Sequence, residues 1–210
     1  MCYVNLRKGV SKLNFVGFLL LHIPFLFLLL GSSLLFTLLI EDPRYFHIPP
    51  TQTSGFIGNA SVVSSVVSLF VTQLAGMLYD VLGRRAVITA ASAVGGLTMT
   101  LIPYCSNLVP EMLLAKIVVM NCGLVLVLQP LLIDYVRQES KGLAAGISSL
   151  VAGVAKILLL SVELPLTSSL PIYSNFQLNG GVALLFSIFF FFSISDLYFK
   201  EEKQHLPCCQ

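Results

Sequence analysis

The sequence predicts an all-α, polytopic membrane protein with six transmembrane helices. Three observations carry that prediction. Hydrophobic residues fill 56% of the 210 positions and charged residues only 10%, where an ordinary soluble domain carries roughly 25% charged, so most of the outer surface has to meet lipid. Six apolar stretches each approach the ~20 residues that a spanning helix needs. Lys and Arg gather in alternate connecting segments, the asymmetry that orients membrane helices.

Taken in order, residues 1–12 form a basic N-terminal segment with Arg7, Lys8 and Lys12, residues 13–199 the six-span domain, and residues 200–210 a polar tail. The first span, Leu13 to Ile40, is about twice the apolar core of a cleaved signal peptide, ~7–15 residues, and reads as a retained helix. It holds His22 two residues before Pro24, where a kink is expected. The segment Glu41 to Thr53, with Pro43, Pro49 and Pro50, breaks helix. A second span runs from Ser54 to Tyr79, and Ser61, Ser64, Ser65, Ser68, Thr72 and Gly76 fall at the spacing of one helical face. Small residues let helices approach closely in lipid, either in a contact with another chain or within the bundle.

A charged turn, Asp80 to Arg85, leads to a third span, Ala86 to Tyr104. The uncharged turn Cys105 to Pro110 leads to a fourth, Glu111 to Ile133. The segment Asp134 to Lys141 joins it to a fifth, Gly142 to Leu164. After a loop with Pro165 and Pro171, the sixth span, Asn179 to Phe199, is apolar on every face and is expected to lie mostly against lipid. The basic residues Arg7, Lys8, Lys12, Arg84, Arg85, Arg137, Lys141, Lys200 and Lys203 then share one side, and Arg44 lies on the other. Both termini are expected in the cytoplasm.

Several classes are excluded. Neither a Walker loop, a dinucleotide fingerprint nor a Cys/His metal cluster is present, so no catalytic residue, cofactor or metal is expected. A net charge of +2 gives no reason to invoke nucleic acid. The five cysteines, at 2, 105, 122, 208 and 209, lack metal-ligand spacing; Cys208 and Cys209 are candidates for palmitoylation.

Charged residues inside the spans carry the chemistry. Glu111, Lys116, Lys156 and Glu163 lie in the fourth and fifth spans with Asn121 and Gln129, and a charge at mid-membrane costs ~2.5–3.5 kcal/mol, which calls for a partner or a watery cavity. Lys116 and Lys156 are expected at similar depth in neighbouring helices, and Lys156 and Glu163, seven residues apart, on one face. Two close cations favour an anionic or proton-coupled solute. Lys116, Lys156, Asn121 and Glu163 are therefore candidates for solute contact or coupling, with snorkelling or lysine–glutamate pairing as the structural alternative. His22 is a further coupling candidate because imidazole titrates near neutrality; its alternative is a packed, hydrogen-bonded histidine.

The segment Gly76-Met-Leu78-Tyr-Asp80-Val81-Leu-Gly83-Arg84-Arg85-Ala-Val-Ile88 resembles the signature of the major facilitator superfamily, Gly-x-Leu-x-Asp-Arg-x-Gly-Arg-Lys-x-x-Leu, which lies between that family's second and third helices. Val81 replaces a basic residue of the signature. Asp134, Arg137 and Glu139-Ser-Lys141-Gly142 resemble the family's Asp, Arg and Glu-x-Arg-Gly cluster. The resemblance implies that Gly76, Asp80, Gly83, Arg84, Arg85, Asp134, Arg137 and Lys141 form a cytoplasmic gating network. From the residues alone, Asp80 at a helix C-terminus opposes the helix dipole and is expected to pair with Arg84, while Gly76 and Gly83 permit close approach and a tight turn. The alternative is a solvated loop that only sets topology.

The resemblance covers the chain as the N-terminal six-helix half of a twelve-span fold. It implies a secondary transporter of a small solute working by alternating access, with a fourth-helix basic residue at the position of Lys116, although Met120 stands where the family has glycine. The fifth span, at Ala152-Gly153-Val154-Ala155, lacks the Gly-Pro pair of the drug-antiporter branch. Expected partners are a small solute, membrane lipid, and either a second copy of the chain or a second six-helix half. The rival expectation is a truncated or accessory half that associates with another chain and transports nothing.

Overall fold

The computed structural model describes residues 4–42, 44–46, 49–128 and 131–195. Pro43, Gln129, the tail from residue 200 and the cysteines at 2, 208 and 209 lie outside the described residues. Six helices are long and apolar enough to cross a membrane: α1 (Lys12–Glu41), α2 (Thr51–Leu82), α3 (Arg84–Tyr104), α4 (Leu108–Tyr135), α5 (Gln138–Ser169) and α6 (Ile172–Ser193). Among the described residues there is no strand, only an isolated bridge between Leu6 and Val136.

Local chemistry sets the helix ends. Ser11 caps α1: its hydroxyl accepts from the Asn14 N–H at 3.2 Å, and its own N–H donates to Asn14 Oδ1 at 2.9 Å, two otherwise orphaned donors satisfied together. Pro50 immediately precedes α2 and Pro171 immediately precedes α6, positions that tolerate a missing N–H. Gly83, at φ 88°, is the whole connection between α2 and α3, a conformation that a side chain would strain. Pro165 does not end the fifth span as expected but lies inside α5, which continues to Ser169. In hydrocarbon the backbone has no water to turn to, so helix persists past a proline that would stop it elsewhere. The α1 helix is interrupted at Leu21 and passes through a π-turn at Phe27–Gly31.

The tightest pairing joins α3 to α6. A Cβ on Gly96 would fall 2.8 Å from the Gly180 carbonyl oxygen, and one on Gly180 would fall 2.5 Å from that of Gly96, so only glycine allows this approach. Ser92 Oγ donates to the Ala183 carbonyl at 2.7 Å alongside. The sixth span is thus not the lipid-facing helix expected from its even hydropathy. It begins at Ile172 instead of Asn179 and buries Phe176, Asn179, Gly180, Ala183, Ser187 and Phe190 as one continuous face.

The other helices build around α1 and α4. The α1 helix packs against α4, α5 and α6, and α4 packs against α2 and α3. The most exposed spans are α2 and α5, with 11% and 17% of the spanning window buried against 39–50% in the rest. Hydroxyls of Ser61, Ser64, Ser65, Ser68 and Thr72 each donate to the carbonyl four residues earlier, at 2.7–2.9 Å. Ser64 is buried within the bundle, whereas Ser61 and Ser65 are exposed, so the small face expected to act as one surface is divided.

At one end, residues 5–7 run beside the α4–α5 connection: Arg7 N–H donates to the Tyr135 carbonyl at 2.9 Å and Arg137 N–H to that of Asn5 at 3.0 Å. At the opposite end Tyr173 meets Tyr45 edge to face and Tyr104 at a tilt, with ring centroids 5.1 and 6.1 Å apart. Burial, followed by the neighbouring Tyr173, pushes the Tyr45 phenol above its ordinary range.

Candidate functional site

Two groups of charged and polar side chains stand out, one at the end of the bundle and one within it. At the end, Gly83 starts α3 immediately, which places Arg84 in the first turn of a new helix. Arg84 forms an ion pair with Asp134, in the last turns of α4. This differs from the expected Asp80–Arg84 pair. Those residues would be i, i+4 neighbours on one helix, but the turn at Gly83 puts them on two, and Asp80 remains exposed. Arg85 lies with its guanidinium 4.1 Å from the Phe191 ring centroid, a cation–π contact between α3 and α6. Arg137 is exposed and Lys141 half-buried. Gly76 is not a point of close approach, since a Cβ there would meet nothing within 4 Å.

Two tyrosines complete this end and were not singled out from sequence. Tyr79 OH donates to the Val125 carbonyl at 2.5 Å, fastening α2 to α4. The Tyr135 hydroxyl donates to the Ser195 carbonyl at 3.1 Å and accepts from the Ser195 N–H at 3.0 Å. The signal was available: a tyrosine near a spanning-helix end has an apolar body and a polar tip that seeks a partner when buried.

Within the spans, Lys116 on α4 is 3% exposed, and its Nζ sits 3.8 Å from the Phe36 ring centroid on α1. Among the described residues no carboxylate pairs with it. Glu111, which lies at the start of α4, instead accepts from the N–H groups of Ser106 and Asn107 at 3.0 and 3.2 Å and from Asn107 Nδ2 at 3.0 Å. Lys156 is exposed on α5. The expected neighbouring of Lys116 and Lys156 is not found, because α5 packs chiefly on α1 and meets α4 at the turn that joins them. Asn121, five residues beyond Lys116 and so about 140° around α4, donates to the Ile117 carbonyl at 2.7 Å and borders a groove with Val67, Val71 and Ala91.

Glu163 is 4% exposed and hydrogen-bonds through Oε1 to the side-chain amide of Asn179 on α6. Gly31 of α1 is packed against this pair, and a Cβ there would lie 2.7 Å from Glu163 Oε1 and 2.9 Å from Asn179 Nδ2. The carboxyl therefore turns inward, although Lys156 on the same helix does not. His22 bridges α1 to α5: Nδ1–H donates to the Leu19 carbonyl at 3.0 Å, since a carbonyl only accepts, and Nε2 lies 3.4 Å from the Ser148 hydroxyl.

Six helices long and apolar enough to cross a membrane, with a glycine-hinged arginine paired across the bundle end, define an integral multi-pass membrane protein. The family model described as the Major Facilitator Superfamily matches residues 21–205. The chain belongs to that superfamily, whose members carry small solutes across membranes and are not enzymes. Comparison with curated proteins and with solved structures returns no match.

Proposed function

We propose that the chain moves a small anionic solute by alternating access, as one six-helix body rocking against a second, and that Lys116 contacts the solute. The observation that carries this reading is Lys116 itself. An ammonium group is costly in a membrane interior, yet this one is held on the Phe36 ring with no carboxylate beside it among the described residues. An aromatic face offsets only part of the cost of desolvating a cation, ~2 kcal/mol or somewhat more, and an anion reaching Lys116 supplies the rest.

The second body is a further six-helix unit, either another copy of this chain or a second half, related by an axis along the membrane normal. The outward surfaces of α2 and α5, the least buried spans, are where it would sit. Both termini lie in the cytoplasm in this reading, which the one-sided distribution of Lys and Arg supports. The Arg84–Asp134 pair then belongs to the cytoplasmic gate.

The test is uptake of anionic solutes into proteoliposomes by the native protein, Lys116→Gln and Lys116→Arg, with thermal unfolding of each. Uptake abolished by the glutamine variant, partly restored by arginine, and little change in unfolding temperature are expected. Unaltered uptake by Lys116→Gln with a lowered unfolding temperature would refute the role and leave Lys116 as a packing residue.

A further inference from the structure

We infer that the Glu163 carboxyl is a proton-binding site inside the helix bundle, with Asn179 as its positioning residue. The site is separate from Lys116 and does not depend on which solute is carried. Glu163 lies six residues before the end of α5 at Ser169, and Asn179 seven after the start of α6 at Ile172, which places both about 10 Å along their helices from the same end. One carboxyl oxygen is bonded to the Asn179 amide; the other, Oε2, is buried with no hydrogen-bond partner.

Among the described residues no neighbouring charge balances it. On α1, the residue against the carboxyl is Gly31, and the titratable His22 is engaged with Leu19 and Ser148. Ser148 lies fifteen positions before Glu163 on α5, about 22 Å away along that helix. On α6, Tyr173 is held in the aromatic cluster with Tyr45 and Tyr104. On α5 itself, Lys156 is exposed. Lys116 of α4 rests on Phe36, which is five residues from Gly31 and so projects from α1 about 140° away around the helix.

A carboxylate so enclosed has one donor for two oxygens and no counter-cation, an arrangement that buried charges rarely survive. The neutral acid fits. Proton transfer from hydronium breaks one O–H bond of the donor, forms one on Glu163 and leaves a neutral water, cancelling the negative charge of the carboxylate. Asn179 does not exchange the proton; its amide fixes Oε1 and leaves Oε2 as the oxygen that carries it.

Infrared spectra of the purified protein in lipid at neutral pH test this directly. A carbonyl stretching band of a protonated carboxylic acid is expected in the native protein, lost in Glu163→Gln, and shifted but retained in Asn179→Leu, which removes the hydrogen bond to Oε1. Absence of the band from folded native protein, or its persistence in Glu163→Gln, overturns the proposal. If Glu163→Gln does not fold, the Asn179→Leu spectrum decides: a shifted band supports the site, and an unshifted band refutes it.

Discussion

Arg84 and Asp134 meet across the bundle, joining the first turn of α3 to the last turns of α4. The side chains are 11% and 15% exposed, so solvent screens the pair only in part. Asp134→Ala is expected to lower the unfolding free energy by about 1–3 kcal/mol, the usual consequence of leaving a buried polar group short of a partner. A double-mutant cycle with Arg84→Ala should return a coupling of roughly 0.5–3 kcal/mol, as for contacting residues. Strict additivity in thermal unfolding would dismiss the pair as an accident of proximity.

The contact between α3 and α6 gives a contrast between two glycines. Gly180→Ala drives a methyl group into the Gly96 carbonyl, and overpacking of this kind costs about 1–3 kcal/mol. Gly76→Ala, with open space around its Cβ, should leave stability unchanged or improve it by up to ~1 kcal/mol. Equal losses for the two variants would contradict the helix pairing.

Orientation is checked by chemistry from outside the cell. A single cysteine introduced beside Arg44 is expected to react with a membrane-impermeant thiol reagent on intact cells, and one beside Arg84 is not. Labelling beside Arg84 and protection beside Arg44 would invert the proposed topology.

Assembly with a second body predicts a response on the outward face of α2. Ser65→Leu, at an exposed position, should weaken self-association in detergent by preventing close helix approach, while Ser64→Leu, at a buried one, should damage folding instead. A protein that sediments as a monomer at all concentrations yet transports would remove the homodimer.

The number of spans and the family were legible in the sequence because both rest on short-range patterns: apolar runs, and a motif within one turn. The partner of Arg84 was not legible. Sequence proximity favoured Asp80, and only the left-handed turn at Gly83 decides that the two residues belong to different helices. The packed face of α6 was hidden for another reason. Asn179, Gly180, Ala183 and Ser187 recur at helical spacing, but four consecutive phenylalanines mask them in any average of hydropathy. The separation of Lys116 from Lys156 depends on α1 packing against both of their helices, and no local pattern announces which helix takes that place. Glu163 was identified as a candidate, whereas its tie to Asn179 needed the register between α5 and α6.

The π-turn at Phe27–Gly31 divides α1 into two rotors with separately set angles. A π-turn behaves as a one-residue insertion into an α-helix, so the stretch that follows is turned by about 100° relative to an uninterrupted helix. His22 before the turn addresses Ser148 of α5, while Phe36 after it addresses Lys116 of α4. Removing a single leucine within the turn, Leu29, would take out the extra residue and leave Phe36 and its successors facing the neighbours they face now, whereas a one-residue deletion just after the turn would swing them about 100° out of phase together. Where a deletion falls in α1 thus decides whether its contacts survive, although either change leaves the hydropathy of the helix almost untouched.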